Sequence, residues 1–259
     1  MNNSTTQIIT HFFLLALAFG TQLFSPIVST KLTGVGFYKL GTSIVLSCLV
    51  FAIGVDFFMS PTLSGADYLC YGILILSNVI TSVFHRDQKS SFMWMIYVLQ
   101  IITFFYFTYH TFLGDAPWIV LFLSSMTILG MSNFSMILGH YYLVVPKLSE
   151  RPLIICLYLF WIFMVMKIVL SLRVLFTMGM PYFEEGTMLG DGYMFNWLFI
   201  SMRYLWGYLA PLVLSGFTYK LCRLRSIQSA TGVLYIIEFF VIVGELISVY
   251  LMSKHGLAL

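Results

Sequence analysis

The spacing of charge constrains this chain more than any other feature. Eight long apolar runs, at about 8–29, 38–58, 67–85, 92–112, 118–142, 152–177, 194–220 and 230–253, are nearly free of Asp, Glu, Lys and Arg. Each is close to the ~20 residues with which an α-helix crosses a bilayer, and none alternates as the roughly ten-residue strands of a barrel wall do. A backbone in hydrocarbon must satisfy its own polar groups, which a helix does within one continuous segment. The predicted fold is therefore all-α: one polytopic integral membrane bundle of eight transmembrane helices spanning residues 1–259. Breakers and polar clusters separate the runs, at Ser60-Pro61, Gly114 to Pro117, Pro146 to Pro152 and Gly186 to Gly192.

Composition closes off the alternatives. Only 9% of the 259 residues are charged and 60% are hydrophobic, against roughly 25% charged in soluble domains. Eight spans leave no room for a globular domain outside the bilayer, so the lipid itself is the first partner. The net charge of +3 does not indicate nucleic acid, because the basic residues are dispersed between spans and form no patch. Cys48, Cys70, Cys156 and Cys222 sit in separate segments without a C-x-x-C pair and read as small apolar fillers. The fifteen methionines are scattered and suggest no copper site.

Loop charges predict the orientation. The odd-numbered connections carry Lys31, Lys39, Arg86, Lys89, Lys147, Arg151, Lys220, Arg223 and Arg225 against Asp87 and Glu150. The even-numbered ones carry Asp56, Asp67, Asp115, Glu184, Glu185 and Asp191 without Lys or Arg. Positive-inside sorting then places the basic side in the cytoplasm and both termini outside, with Lys254 the exception. The first seven residues hold no basic n-region, so helix one reads as a retained span and not a cleaved signal. This is the pattern of a multi-pass protein of the cytoplasmic or inner membrane. The acidic outer face, with its long 179–193 loop, suits docking of a membrane or extracytoplasmic redox partner.

Ionisable residues inside spans are costly unless paired or hydrated, which makes each a candidate site. These are Lys167 and Arg173 in helix six, Arg203 in helix seven, and Glu238 and Glu245 in helix eight. At ~1.5 Å per residue, Lys167 and Glu245 both lie ~22 Å from the inner end and Arg203 lies ~13 Å from the outer end, which puts all three in one slab. They are expected to share a buried centre with a formal positive excess, suited to a carbonyl, an anion or a proton-linked carboxyl; a structural ion pair is the alternative. Glu238, two turns before Glu245, shares its face and is either a step in a proton path or a partner of Arg223 or Arg225. Arg173 is placed to snorkel to the outer interface. On helix seven, Arg203, Gly207, Pro211 and Ser215 form a stripe at four-residue spacing, and Trp206 beside it is a candidate to stack on a planar ligand.

Four histidines pair by level, His11 with His110 near the outer end and His85 with His140 near the inner end. That arrangement makes them candidate ligands for haem b in a four-helix bundle, against the plainer reading of interfacial histidines. Gln22, Asn78, Gln100 and Asn133 read as interhelical hydrogen-bonding groups. No nucleotide loop, H-E-x-x-H, G-x-S-x-G or EF-hand motif is present. GHYYLVVPKLSERPL and SIQSATGVLYIIEFFVIVGE are the most distinctive segments.

The site chemistry points to a membrane subunit of a respiratory or electron-transfer assembly, with a quinone-sized or proton-linked site around Lys167, Arg203, Trp206 and Glu245. Two other readings are a proton-coupled secondary transporter using Glu238 and Glu245, and a structural scaffold. Against a transporter stands the lack of an inverted repeat or of paired Gly/Pro-broken helices in the two halves.

Overall fold

The computed structural model describes residues 3–28, 33–59, 64–84, 90–112, 114–145, 149–179 and 193–259. Its helices are α1 (Asn3–Leu23), followed by a 3₁₀ turn at Ser25–Ile27, α2 (Val35–Met59), α3 (Gly65–Phe84), α4 (Ser91–Thr111), α5 (Ala116–Val144), α6 (Arg151–Val174), α7 and α8 (Ile227–His255). The last turn of α6 loosens into a π-turn at Leu175–Gly179. Helix α7 runs through Tyr193–Tyr204, a π-turn at Leu205–Leu209 and Ala210–Arg223. Eight helices are long and apolar enough to span a membrane, within a few residues of the boundaries expected from sequence. No strand occurs among the described residues.

Local chemistry explains several of the helix ends. Asp115 caps α5 by accepting from the Trp118 N–H, and Pro117 sits in the first turn, where its missing N–H costs nothing. Pro152 does the same for α6. Gly256 ends α8 in the left-handed conformation at φ 67°, with its N–H returned to the last-turn carbonyls.

Helix α5 is the central element and the most buried of the eight spans. It packs against α1 and α8 along most of its length and against α6 beside them. Helices α2, α3 and α4 extend the bundle on the α1 side, and α7 packs chiefly on α8. Two glycine crossings bring backbones together. Gly20 of α1 meets Gly130 of α5, and Gly207 of α7 meets Gly244 of α8; a Cβ at Gly20, Gly130 or Gly244 would collide with the opposing main chain, and one at Gly207 would meet the Arg203 guanidinium at 2.9 Å. The exterior is a belt of large apolar side chains, among them Phe51, Leu76, Met95, Ile102, Ile162 and Phe239. A soluble monomer does not display so much apolar surface, whereas lipid accommodates it.

The two ends of the bundle differ in charge. Asp56, Asp67 and Asp115 mark one end, where Asp56 contacts His11 and Asp67 contacts His110. Lys39, Arg151, Lys220, Arg223 and Arg225 mark the other, where Arg225 pairs with Glu150 at 3.7 Å. Lys31, Arg86, Asp87, Lys89, Lys147 and the acidic Glu184, Glu185 and Asp191 lie outside the described residues. All four cysteines are buried and free.

Candidate functional site

Three helices each contribute one charge to a single buried cluster. Lys167 of α6 donates to Glu245 Oε2 of α8 at 2.5 Å and to Ser125 Oγ of α5 at 2.7 Å. Arg203 of α7 donates through Nη1 to the other carboxylate oxygen, Oε1, at 3.1 Å. The side chains of Lys167, Arg203 and Glu245 are 3%, 0% and 2% exposed, so the cluster is removed from solvent and lipid alike. Two cations share the Glu245 carboxylate in a low-dielectric interior, where a cationic donor attracts an electron-rich partner.

The two cations are not equivalent. Arg203 is fully enclosed: Nε donates to the Leu259 main-chain oxygen at 3.1 Å, Nη2 donates to the Tyr208 hydroxyl at 2.7 Å, and the guanidinium lies 4.2 Å from the Tyr208 ring centre. Lys167 carries three ammonium donors, two of which are used by Glu245 and Ser125. It also lines a cavity of about 630 Å³ between α5, α6 and the segment after α8. Leu121, Leu170, Val174 and Met252 make the cavity largely apolar, and Ser124, Ser171, Asp115 and Arg173 add polar groups toward the acidic end. That size and lining suit a small amphipathic ligand.

The π-turn of α7 makes this geometry. Pro211 cannot donate to the carbonyl one turn before it, and the backbone widens at Leu205–Leu209 just ahead of it. In a regular α-helix Tyr208 would point roughly 140° away from Arg203. The extra residue in the turn swings Tyr208 under the guanidinium instead. The stripe Arg203, Gly207, Pro211 and Ser215 is buried throughout, and Trp161 of α6 donates to Ser215 at 2.6 Å.

A second contributor comes from the end of the chain as described. After Gly256 the backbone turns back, and Leu257 and Leu259 pack with Ile200, Ile247 and Leu251. The Leu259 oxygen accepts from Arg203 and from Ser248. Neither Tyr208 nor this return was anticipated from sequence. The helix stop at Lys254-His255-Gly256 followed by apolar Leu257-Ala258-Leu259 is the signal that pointed to it.

Other candidate residues stand elsewhere. Trp206 faces outward, 40% exposed, with its ring edge-on to Phe240, and the structure does not bring it to the cavity. Glu238 is buried on the same face as Glu245. It pairs with neither Arg223 nor Arg225, because Arg225 is taken by Glu150, and its Oε2 has no hydrogen-bond partner. His11 Nε2 lies 2.8 Å from the Tyr71 hydroxyl and 2.9 Å from Asp56, and Tyr71 donates to Asp56 at 3.0 Å. His110 Nδ1 lies 2.9 Å from Asp67. Each of these imidazoles is thus bonded to its own carboxylate. His140 is exposed and sits 3.0 Å from the Tyr235 hydroxyl, and His85 lies outside the described residues. Among the described residues no group of three or more His, Cys, Asp or Glu side chains assembles as a metal site.

Comparison with other proteins adds no assignment. No known family, characterised protein or solved structure matches this chain. The residues around Lys167 therefore carry the functional argument by themselves. What they form is a cationic donor, backed by an enclosed Arg203–Glu245 pair, at the inner end of a largely apolar cleft that opens at the acidic end of the bundle.

Proposed function

We propose that this multi-pass protein binds a quinone-class ligand, an apolar molecule with a carbonyl head group, in the cavity beside Lys167, and that it serves as a membrane subunit of an electron-transfer assembly. The observation that carries the reading is that Lys167 both anchors Glu245 and lines the cavity of about 630 Å³. An ammonium with a donor to spare can hold a carbonyl or a reduced oxyanion, and the apolar walls take the ring and chain. Arg203 and Glu245 hold the ammonium in place and limit its freedom to swing. Redox chemistry would be the ligand's own; this chain supplies binding, orientation and charge. In this reading the basic end faces the cytoplasm and the acidic end receives the redox partner.

The test begins with organic extraction of the purified protein and mass spectrometry of the extract, followed by titration of a short-chain ubiquinone or menaquinone into the protein in nanodiscs. Lys167→Met is the informative variant, because it leaves Arg203 and Glu245 as a balanced pair. The expected result is a bound quinone, with affinity lowered at least tenfold in Lys167→Met at unchanged helicity. Equal quinone affinity in the two proteins would rule the site out.

A proton-coupled carrier is the second reading, favoured by the buried and partly unpartnered carboxyl of Glu238. Proton-dependent solute movement in liposomes without a redox partner would select it.

A further inference from the structure

Helices α5 and α8 meet along a seam of polar pairs. Near the middle, Ser125 and Glu245 share Lys167. Seven residues farther along α5, and seven back along α8, Ser132 stands against Glu238. Seven more in each direction, Thr231 donates to the Gly139 carbonyl at 2.9 Å. Seven residues are close to two helical turns, or ~10 Å. One antiparallel register thus places a polar pair at each of three successive levels, from the basic end of the bundle to the cavity site. Hydroxyls alone would be ordinary membrane-helix packing; a buried carboxyl in such a seam is costly unless it is bonded.

Glu238 is the unexplained member. It is 6% exposed and one carboxyl oxygen has no partner. No cation pairs with it among the described residues. The ionisable side chains on the helices packed against α8 are engaged elsewhere: His11 of α1 by Asp56 and Tyr71, and His140 of α5 by Tyr235. On α7, Tyr204 is bonded to Ser171, Arg203 and Tyr208 to each other, and Tyr219 to Tyr158; Lys220 and Arg223 lie at the basic end. Tyr142 of α5 donates to Ser149, and Tyr141 packs on Phe37. What faces the Glu238 carboxyl is a hydroxyl, a group able to pass a proton but not to neutralise a charge.

We propose that Glu238 is a proton-carrying residue that loads from the basic end along the α5–α8 seam and supplies the Lys167–Glu245 site. The Glu238 carboxylate takes a proton from the Thr231 side and releases it past Ser132 and Ser125 toward Lys167, with water carrying it across the ~10 Å between levels. It returns to the carboxylate as the proton passes to the cavity occupant. The inference deepens the quinone reading and rests on it for the need of a proton at Lys167, since reduction of a quinone consumes protons as well as electrons.

Dicyclohexylcarbodiimide, an apolar reagent that couples to protonated carboxyls, tests this in the whole protein without any quinone. The chain is reconstituted in neutral-lipid vesicles, its orientation is scored by tryptic cleavage at the basic end, and the pH of the two compartments is set independently. Modified peptides are then read by mass spectrometry. The expected result is modification of Glu238 but not of Glu245. Its yield should fall several-fold when pH is raised on the basic face and hold steady when only the acidic face is raised. Thr231→Val should slow the response to the basic-face pH several-fold. Absence of Glu238 modification, a yield that follows the acidic face or ignores both, or an unchanged rate in Thr231→Val would each overturn the proposal. Because no quinone enters the assay, a failed quinone titration and a failed labelling experiment remain separate results.

Discussion

Around α1, α3, α4 and α5, the polar groups at the middle of the bundle are neutral amides and hydroxyls, and the buried carboxylate of Asp56 stands toward the acidic end. Gln22 donates to Gln100 at 2.5 Å, Asn133 donates to Thr21 at 2.7 Å, and Asn78 turns back on its own helix at Leu74. Around α6, α7 and α8 they are ions, with Lys167 and Arg203 clasping Glu245. Both sets are buried, and each region also holds one glycine crossing, Gly20 against Gly130 and Gly207 against Gly244. The difference lies in what each set leaves over. Gln22 and Gln100 satisfy each other, and the one amide oxygen left over among the described residues, Asn78 Oδ1, carries no charge to offer a ligand. Lys167 keeps a donor beyond those used by Glu245 and Ser125, and it lines the larger cavity. A fold that needed only glue could have used amides throughout; the ionic set is the more costly solution, which is a reason to read it as functional.

The largest effect that could break this contrast is at Glu245. Glu245→Gln strands Lys167 and Arg203 without a counter-ion, and removing one partner of a buried pair costs about 3–5 kcal/mol. The loss should appear as an early unfolding midpoint of the purified protein in detergent. Replacing all three, as Lys167→Met, Arg203→Met and Glu245→Leu, should recover most of the stability while abolishing quinone binding. If Glu245→Gln unfolds no earlier than an amide variant, the cluster is not ionic in the way described.

The glycine crossings come next. Gly20→Ala places a methyl against the backbone of Gly130. Overpacking of this kind costs about 1–3 kcal/mol, more where the obstacle is main chain. Gly244→Ala meets Gly207 and, in addition, the Arg203 guanidinium. Both variants should lose stability to a similar degree, but only Gly244→Ala should also weaken quinone binding. Titration of the two variants side by side separates packing from site geometry.

How much of this was legible in sequence follows the same division. The eight spans were legible because ~20 residues without charge is a signal that tertiary context cannot override. Lys167, Arg203 and Glu245 could be set at one depth because helix rise is constant. Where regular geometry ends, the reading ends too. The π-turn at Leu205–Leu209 breaks the 100° period and so hid Tyr208, although Pro211 marked the place. Trp206, three residues after Arg203, would share its face in a regular helix, but it lies within the π-turn and stands outward, 40% exposed. The return of Leu257–Leu259 onto Arg203 depends on a left-handed Gly256 and on a pocket built by other helices.

A smaller effect tests the neutral region directly. Gln22→Leu or Gln100→Leu each leaves one amide buried without its partner. Interhelical hydrogen bonds in membranes average about 0.6 kcal/mol and reach about 1.7. The double variant should cost less than the two singles added, because removing both partners leaves nothing unsatisfied. A double-mutant cycle on unfolding free energy checks this, and quinone affinity should stay unchanged in all three proteins.

The smallest effect is expected at the acidic end, where the contrast between the two regions fades. Asp67 and His110 are 2.9 Å apart, but the histidine side chain is 34% exposed and the aspartate 16%. Interfacial water competes for both groups, and ion pairs in such settings contribute about 0–1 kcal/mol. Asp67→Asn should therefore shift the unfolding midpoint barely, and less than Gln100→Leu despite removing a formal charge. Asp56→Asn removes an acceptor shared by His11 and Tyr71 in a more enclosed setting and should cost more than Asp67→Asn. If the order is reversed, burial is not what grades the polar contacts of this bundle, and the distinction drawn between its amide and ionic regions loses its physical basis.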